Sequence, residues 1–512
     1  MFLTVISALL LILSFPKFSL WPAAWVAFVP IVHVIWKTKD LKWGFLYFYI
    51  FGLLFFFTSV EWLRHVTYFG WFFVSLAYPG YFATFGIIAS WFFKRGRFLL
   101  SLLVLPSAWC VLEWIRTEIP VWGFGWNLLA YSQTANLGMA QLAGFTGAYG
   151  VSWLIIFINL AIFFILRLIF VRKKSEIPAA LFSLVGLVLI LGFMFVHRLD
   201  RAVREEGQPL IRTAVIQANI SQEQKWDPRY KSSILETHEK LSRFVGYDKQ
   251  LELIIWPEAA FPGYLNLDPN RERILQLERE LKIPILLGSP HLEPSLNRQK
   301  EVAYNSAYLV DERLTFEDRY DKIRLVSFGE YVPWRWLFGP LGIERFAYSI
   351  GVSDFKPGKD IKIFSLSGKE RRLFSVLICF EDTFPNLAKR AADLGAQFLV
   401  VVTNDAWFSR SAAAYQHLQA SIFRAIENGV PVIRAANTGV SAFIDGRGVV
   451  RGRVKDKYGH DSFVAGGLIQ SVPLEGHKTF YREKGYQFPL YCLIFVFVSF
   501  LFTLNVKTEH TL

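Results

Sequence analysis

The chain has 512 residues, of which 53% are hydrophobic, and its mean hydropathy of +0.33 is too high for an ordinary soluble protein. Its 49 Phe and 17 Trp suit apolar membrane spans and span ends at the lipid headgroups. The net charge of +13 does not indicate nucleic-acid binding, because the basic residues lie in short loops between apolar runs and no binding motif accompanies them. We therefore expect a membrane protein that does not bind nucleic acid.

Seven apolar runs precede a long polar region, and one run follows it. We expect a membrane domain over 1–200 with seven apolar segments, a polar domain over 205–480 and a final transmembrane helix over 486–506. The first run lacks the basic start and the cleavage site of a signal peptide, so it is interpreted as a membrane segment. The runs before the polar domain lie at 2–15, 19–36, 43–61, 70–93, 98–114, 143–170 and 178–196.

Clusters of Lys and Arg follow the second, fourth and sixth runs, and the alternate short loops carry few basic residues. Basic loops of this kind stay in the cytoplasm. Counting forward from the cluster before the seventh run predicts that the polar domain lies on the far side of the membrane. The clusters are Lys37, Lys39 and Lys42; Lys94, Arg95 and Arg97; and Arg167, Arg172, Lys173 and Lys174.

In the polar domain, short runs of branched apolar residues alternate with helical patterns, which predicts an α/β fold. The predicted strands are 211–218, 251–256, 283–288, 303–310, 373–379, 398–403 and 431–436. The predicted helices are 230–245, 269–282, 386–394 and 415–428.

Cys379 is the sole cysteine of the polar domain, since Cys110 and Cys492 fall in apolar runs. It ends an apolar strand, LFSVLIC, and a helix begins just after it, where Asp382 is a suitable cap and Pro385 suits the first turn. Unpaired backbone N–H groups there would favour a thiolate and bind an oxyanion. A nucleophile is indicated, while a buried structural cysteine remains the alternative.

Two other segments carry groups suited to the same chemistry. Glu258 follows the apolar strand LELIIW, at the strand edge where α/β proteins place their ligands, and suits a general base. Lys322 and Glu330 lie in the turn-rich segment YDKIRLVSFGEYVPW, where a lysine can stabilise an oxyanion. Taken alone, Glu258 and Lys322 are better explained as solvated side chains.

No metal or other cofactor is predicted. The histidines of the polar domain have no paired ligand spacing and no cysteine cluster beside them. The segment GRGVVRG lacks the setting of a dinucleotide-binding turn. The histidines are His238, His291, His417, His460 and His477.

The order Glu258, Lys322, Cys379 resembles the catalytic set of the nitrilase superfamily. The segments WPEAAFP, LVSFGEYVP, ICFED and TNDAWF, set between seven apolar runs and one, resemble the apolipoprotein N-acyltransferase family over essentially the whole chain. This resemblance implies a multi-span α-helical membrane domain plus an extracytoplasmic α/β nitrilase-like domain, an α-β-β-α sandwich. It also implies a multi-pass protein of the bacterial inner membrane with its catalytic domain on the periplasmic side.

The resemblance also implies roles for single residues. Glu258 would be the general base, Lys322 the oxyanion-stabilising group and Cys379 the acylated nucleophile, supported by Glu330 and Glu381. The substrate-binding residues would be Trp226, Asn305, Trp407 and Trp126.

The implied reaction moves an acyl chain from a membrane phospholipid, through a Cys379 thioester, to the N-terminal amine of the diacylglyceryl-cysteine of an apolipoprotein. The enzyme would act as a monomer without a cofactor. A membrane-tethered amidase of the nitrilase type is the rival enzyme. A transporter with an extracytoplasmic domain is the rival from another class, although few charges lie within the apolar runs.

The chain departs from the family pattern at three positions. Phe380 stands where a tyrosine is usual, and Arg324 and Ser327 alter the segment before Glu330. These changes leave the three catalytic groups in place but put in doubt a tyrosine hydroxyl beside the nucleophile.

The aromatic stretch from Trp334 to Ile350 has few charges. An exposed apolar loop of this kind marks a partner or a membrane, so we expect it to guide an acyl chain toward Cys379. An ordinary core segment is the alternative.

Overall fold

The computed structural model divides the chain into two compact units. One comprises Met1–Glu206 with Thr479–Leu512, and the other comprises Gly207–Lys478. The residues that the structure describes are 1–119, 121–200, 209–293, 301–334, 336, 353–366, 371–474 and 478–505.

The first unit is helical, and the second combines helices with two sheets. In chain order, the helices are α1 Phe2–Leu13, α2 Val29–Thr38, α3 Leu41–Ser59, α4 Tyr68–Ala77, α5 Pro79–Lys94, α6 Phe98–Glu118, α7 Leu137–Ala140, α8 Ala143–Phe170, α9 Ile177–Asp200, α10 Gln222–Lys225, α11 Lys231–Val245, α12 Arg271–Leu281, α13 Pro385–Asp393, α14 Ala413–Asn428, α15 Phe480–Glu483 and α16 Phe488–Asn505.

Within the described residues, six helical segments are long and apolar enough to cross a membrane. Five precede the α/β unit and one follows it, so the chain is a multi-pass membrane protein. The segments are Leu41–Ser59, Tyr68–Lys94, Phe98–Glu118, Ala143–Phe170, Lys174–Gly192 and Gly485–Leu504.

The first two apolar runs are not among these six segments. Run 2–15 forms α1, whose 12 residues reach about 18 Å, short of the ~30 Å hydrocarbon core. Run 19–36 breaks into a 3₁₀ helix at Trp21–Trp25 and the short helix α2. Pro22 and Pro30 stand in the first turns of these two pieces, because a proline has no N–H to continue a helix from the preceding residues.

Neutral side chains form hydrogen bonds with the backbone where the apolar run 19–36 is interrupted. Asn159 of α8 accepts a hydrogen bond from the N–H of Phe28 at 2.8 Å and donates one to the carbonyl of Ala24 at 2.9 Å. The hydroxyl of Ser7 accepts from the N–H of Ile31 at 3.1 Å. These bonds are needed because backbone N–H and C=O groups find no water to bond with in the hydrocarbon core.

The last helix completes the helical unit. Helix α16 packs on α6 and α8. The thiols of Cys110 and Cys492 are hydrogen-bonded to each other, and the ring of Trp91 stacks on Phe500 with centroids 4.9 Å apart. The two ends of the chain therefore build one helical unit.

The α/β unit contains two six-stranded sheets. Their orders are β12-β1-β2-β3-β4-β5 and β11-β10-β9-β8-β7-β6, with parallel pairing at the centre of each sheet and antiparallel pairing outside it. The strands are β1 Leu210–Gln217, β2 Leu253–Ile255, β3 Ile285–Glu293, β4 Val302–Val310, β5 Arg319–Asp321, β6 Ile363–Leu366, β7 Arg372–Ile378, β8 Phe398–Thr403, β9 Val432–Ala436, β10 Ala442–Ile444, β11 Val450–Arg453 and β12 Gly466–Pro473.

The unit is the predicted α-β-β-α sandwich. Apolar side chains of both sheets, among them Ile255, Leu286 and Val400, meet in one buried core. Helices α11 and α12 cover the outer face of the first sheet, and α13 and α14 cover that of the second. Strand β8, FLVVVT, is buried along its whole length because both of its faces are covered.

Candidate active site

The structure brings Glu258, Lys322 and Cys379 together where strands of the two sheets end. Glu258 comes shortly after β2, Lys322 directly after β5, and Cys379 directly after β7. Lys322 Nζ lies 3.6 Å from Glu258 Oε1, and both charged groups act electrostatically on the thiol. All three side chains are buried.

The Glu258 carboxylate is held at both oxygens. Oε1 accepts from Asn305 Nδ2 at 2.8 Å, and Oε2 accepts from the backbone N–H of Asn404 at 2.9 Å. Gly288 of β3 leaves room for the Glu258 turn, since a Cβ there would lie 2.6 Å from Glu258 Cα. The base is therefore oriented before any substrate binds.

Lys322 is paired with two carboxylates. Its Nζ donates to Glu330 Oε1 at 2.8 Å, and Asn305 Nδ2 also donates to that oxygen at 2.8 Å. Burial opposes the charge of Lys322, but Glu330 and Glu258 outweigh burial and raise its pKa. The two carboxylates thus favour the charged form of Lys322, which suits a group that stabilises an oxyanion.

Cys379 is the first residue of a 3₁₀ helix, Cys379–Thr383, with a left-handed backbone φ of 53° that non-glycine residues rarely adopt. Burial and the nearby Glu258 raise the pKa of its thiol, and Lys322 opposes them. Burial thus opposes the thiolate that nearby N–H groups were expected to favour, and it favours the protonated thiol.

Glu381 positions the lysine segment against the nucleophile turn. Its Oε1 accepts from the backbone N–H groups of Ile323 at 2.7 Å and Arg324 at 3.0 Å. Its Oε2 accepts from the N–H of Ile378 at 2.8 Å. Burial raises the pKa of Glu381 to about 7, although its backbone donors oppose the shift.

A cluster of ionisable residues lies beneath Cys379, and no function was predicted for it from the sequence. His417 lies between two carboxylates, 2.9 Å from Asp382 and 3.0 Å from Asp405. Arg434 donates to the same two carboxylates at 3.0 and 3.2 Å. His417 Nε2 also lies 3.2 Å from the carbonyl oxygen of Cys379. We call these four residues the aspartate cluster.

A second buried lysine was also missed. Lys225 Nζ donates to the backbone carbonyl of Glu258 at 2.9 Å. Burial lowers the pKa of Lys225 to about 8, against the opposing charges of Glu258 and Cys379. The signal available in the sequence was its place in the segment KWDP, beside Trp226.

Comparisons with known proteins place this geometry in a family. Residues 7–161 match the model of the apolipoprotein N-acyltransferase N-terminal domain, and residues 212–458 match that of carbon-nitrogen hydrolases. An apolipoprotein N-acyltransferase of Geobacter metallireducens is 35% identical over 99% of this chain and 96% of its own length. The chain belongs to the apolipoprotein N-acyltransferase family.

Other relatives are more distant. An apolipoprotein N-acyltransferase of Chlorobaculum tepidum is 29% identical, covering 96% of this chain and 94% of its own. Among solved structures, an amidase from Nesterenkonia sp. is 20% identical with a TM-score of 0.38, covering 55% of this chain and 95% of its own.

The substrate-binding residues implied by the family resemblance lie in different surroundings. Asn305 lies in the site, but its amide N–H groups bind the Glu258 and Glu330 carboxylates. Trp226 and Trp407 are 49% and 43% exposed, which leaves them free to meet a substrate. Trp126 belongs to the helical unit, where it is buried 4.8 Å from Trp62 between ring centroids.

The departures from the family pattern have structural explanations. The ring of Phe380 packs edge-on against the ring of Phe384 with centroids 5.0 Å apart. The guanidinium of Arg324 lies 5.0 Å from the Phe384 ring. Ser327 Oγ donates to the Tyr331 hydroxyl at 3.3 Å. Since Glu381 is bound by the backbone of Arg324, the contact does not depend on which side chain that position carries.

Two further expectations concern the aromatic stretch and metal binding. Of the aromatic stretch Trp334–Ile350, only Trp334 and the exposed Trp336 are described, so the rest lies outside the described residues. Across the described part of the chain, no three His, Cys, Asp or Glu side chains are grouped to hold a metal ion.

Proposed function

We propose that the chain transfers an acyl group from a membrane phospholipid to the N-terminal amine of an apolipoprotein diacylglyceryl-cysteine, through a thioester on Cys379. The observation that carries this proposal is the buried thiol, carboxylate and lysine at neighbouring strand ends. Family membership and the names of the curated relatives support the choice of substrates.

In the first half-reaction, Glu258 takes the proton of Cys379 and the thiolate attacks an ester carbonyl of the phospholipid. Lys322 stabilises the oxyanion. Collapse of the tetrahedral intermediate breaks the ester bond, and the departing lysophospholipid oxygen takes the proton from Glu258. The enzyme is left as an acyl thioester.

In the second half-reaction, the neutral amine of the acceptor attacks the thioester carbonyl and Glu258 takes a proton from its nitrogen. The C–S bond breaks, an amide forms, and the thiolate regains its proton from Glu258. A thioester suits this exchange because it reacts with amines and can be shielded from water. The acceptor's α-amine, with an ordinary pKa of about 8, supplies the neutral form near neutral pH.

The raised pKa of the Cys379 thiol also has a protective effect. A protonated thiol is a poor nucleophile and is oxidised slowly, whereas a thiolate is reactive. Because Glu258 must first take the proton, the reactive thiolate is short-lived.

We place the α/β unit on the periplasmic side of the bacterial inner membrane. The basic clusters at Lys37–Lys42, Lys94–Arg97 and Arg167–Lys174 flank the ends of the crossing helices that would be cytoplasmic. The enzyme acts there as a monomer. Phospholipid and lipid-modified acceptor both reach it from the membrane.

Intact-protein mass spectrometry after incubation with phospholipid tests the thioester. We expect one acyl mass on Cys379 that hydroxylamine removes, and none on Cys379→Ala. Cys110→Ala and Cys492→Ala are matched controls that retain the adduct. An adduct that survives Cys379→Ala contradicts the proposal.

A diacylglyceryl-cysteine peptide tests the second half-reaction on the isolated acyl-enzyme. The acyl group should pass to the peptide amine and leave free enzyme. Release as free fatty acid at the same rate with and without peptide would indicate a hydrolase of the amidase type.

A further inference from the structure

The Thr403 hydroxyl links the nucleophile to the aspartate cluster. Thr403 ends β8, whose neighbouring residue Val402 pairs with Ile378 just before the nucleophile. The side chain of Thr403 is fully buried. Its hydroxyl donates to Asp405 Oδ1 at 3.0 Å, and it is near enough to Cys379 to favour the thiolate.

A hydroxyl has one proton to donate and two lone pairs to accept with. While Cys379 is a thiol, its S–H can donate to Thr403, whose own proton points to the Asp405 carboxylate. A thiolate has no proton, so both neighbours of the hydroxyl are then anions that need a donor. The hydroxyl can serve only one of them at a time.

Asp405 keeps a donor when the hydroxyl turns away. Arg434 Nη2 donates to its Oδ2 at 3.2 Å, and the His417 ring lies 3.0 Å from its Oδ1. Burial opposes the ionised form of Asp405, but His417 and Arg434 outweigh burial and lower its pKa to about 2. For the thiolate, Lys322 and Thr403 are groups that favour the charged form.

We propose that Thr403 is a further catalytic residue, whose hydroxyl donates to Asp405 while Cys379 is protonated or acylated and rotates to donate to Sγ whenever the thiolate forms. The thiolate forms twice in the proposed reaction, before attack on the ester and on departure from the thioester. Thr403 keeps its proton throughout, and the proton of Cys379 goes to Glu258. The role in acyl transfer rests on the proposed function.

Several charged groups also act on the thiol, so the test must separate the effect of the Thr403 hydroxyl from theirs. Carboxylates near Sγ disfavour the thiolate, and ammonium groups favour it. Replacing only the hydroxyl of Thr403 leaves all of them in place. The groups that face Cys379 are Glu258, Lys322, Asp405, Lys225 and, at its carbonyl oxygen, His417.

The test is the pH dependence of Cys379 alkylation by iodoacetamide, measured on the full-length chain in detergent with Cys110→Ala and Cys492→Ala. Thr403→Val keeps the shape of the side chain but removes the donor. We expect its alkylation at pH 8 to be about tenfold slower, with the profile moved to higher pH, since a hydrogen bond to a charged group is worth about 1.5–3 kcal/mol. Thr403→Ser should restore the wild-type profile.

The outcomes separate this inference from its alternatives. An unchanged profile in Thr403→Val overturns it, as does a Thr403→Ser profile that matches Thr403→Val. Thermal unfolding of each variant establishes that it is folded. Because alkylation needs no lipid, a shifted profile in a chain that takes no acyl group from phospholipid would reject the proposed function and keep the Thr403 assignment.

Discussion

The two units satisfy buried polar groups with different kinds of side chain, ionisable at one place and neutral at the other. Beneath Cys379, the α/β unit buries two carboxylates, an arginine and a histidine in the aspartate cluster. At the broken helical segment, the helical unit uses the neutral amide of Asn159 and the hydroxyl of Ser7. The backbone needs only hydrogen bonds, which neutral groups supply at a low desolvation cost. A reactive thiol needs a fixed electrostatic environment, which only charges provide.

The aspartate cluster persists in the interior because it is balanced. Burial and Arg434 oppose the charge of His417, but Asp382 and Asp405 outweigh them and raise its pKa. Arg434 Nη2 also lies 2.7 Å from His417 Nδ1, so the arginine and the histidine share the two carboxylates. Removing one member leaves an uncompensated charge, which costs more than losing a neutral hydrogen bond. The comparison therefore predicts unequal effects of single substitutions.

Arg434→Met should have the largest effect. It leaves Asp382 and Asp405 with one cation, and we expect a loss of about 3–5 kcal/mol in the free energy of unfolding. Thermal or denaturant unfolding of the solubilised chain measures this. The half-exposed Arg279, paired with Glu272, is the matched control, and Arg279→Met should cost less than about 1 kcal/mol. Equal losses for the two variants would refute the contrast.

Lys322→Met should slow formation of the Cys379 acyl-enzyme by about 10²–10³-fold, the usual effect of removing one oxyanion donor. The rate at which the acyl mass appears on Cys379 measures it. Lys362→Met removes a lysine that pairs with Asp318 away from the site and should leave the rate unchanged. A Lys322→Met rate within threefold of wild type would remove the lysine from the mechanism.

Glu381 should give the rate a pH dependence. It is ionised above its pKa of about 7 and protonated below it. The ionised form binds the N–H groups of Ile323 and Arg324 more strongly. We expect acyl-enzyme formation to fall about tenfold as pH drops through 7, since the Lys322 segment loosens. Glu381→Gln should be slow at every pH and lack this step; a step that persists there belongs to another group.

Asn159→Leu should have the smallest effect. It removes hydrogen bonds to Phe28 and Ala24 without leaving a charge, and interhelical bonds of this kind are worth about 0.6–1.7 kcal/mol each. We expect a loss of about 1–2 kcal/mol in unfolding and an unchanged rate of Cys379 alkylation. Thr84→Val, whose hydroxyl bonds only to its own helix, is the control. A larger loss than in Arg434→Met would reverse the comparison.

Sequence patterns predicted the main frame of the α/β unit. Every strand and helix expected there is present, because each is a long apolar run or a strongly periodic helix. The strands that were missed have three or four residues, such as β5 and β10, or contain a glycine pair, as in β12. Their pairing depends on contacts with distant strands, which local patterns do not record.

Residues of the candidate site were predicted where a local motif marks them and missed where none does. Glu258 and Cys379 were predicted because each follows an apolar strand, and Lys322 because the three motifs together resemble the nitrilase catalytic set. The aspartate cluster escaped because its members come from separate elements and have no common spacing. One signal was available: Arg434 stands inside VIRAA, an otherwise apolar strand, and arginine is rarely fully buried without a partner. The break in the second apolar run was signalled by Pro22 and Pro30.

The order of elements along the chain sets an order of assembly. Helices α6 and α8 leave the ribosome early, but α16, which packs on them and brings Cys492 to Cys110, is made only after the entire α/β unit. Until then, those faces of α6 and α8 are covered by lipid. On the proposed topology, the α/β unit therefore crosses the membrane from an incomplete helical bundle, which closes only after α16 has been made.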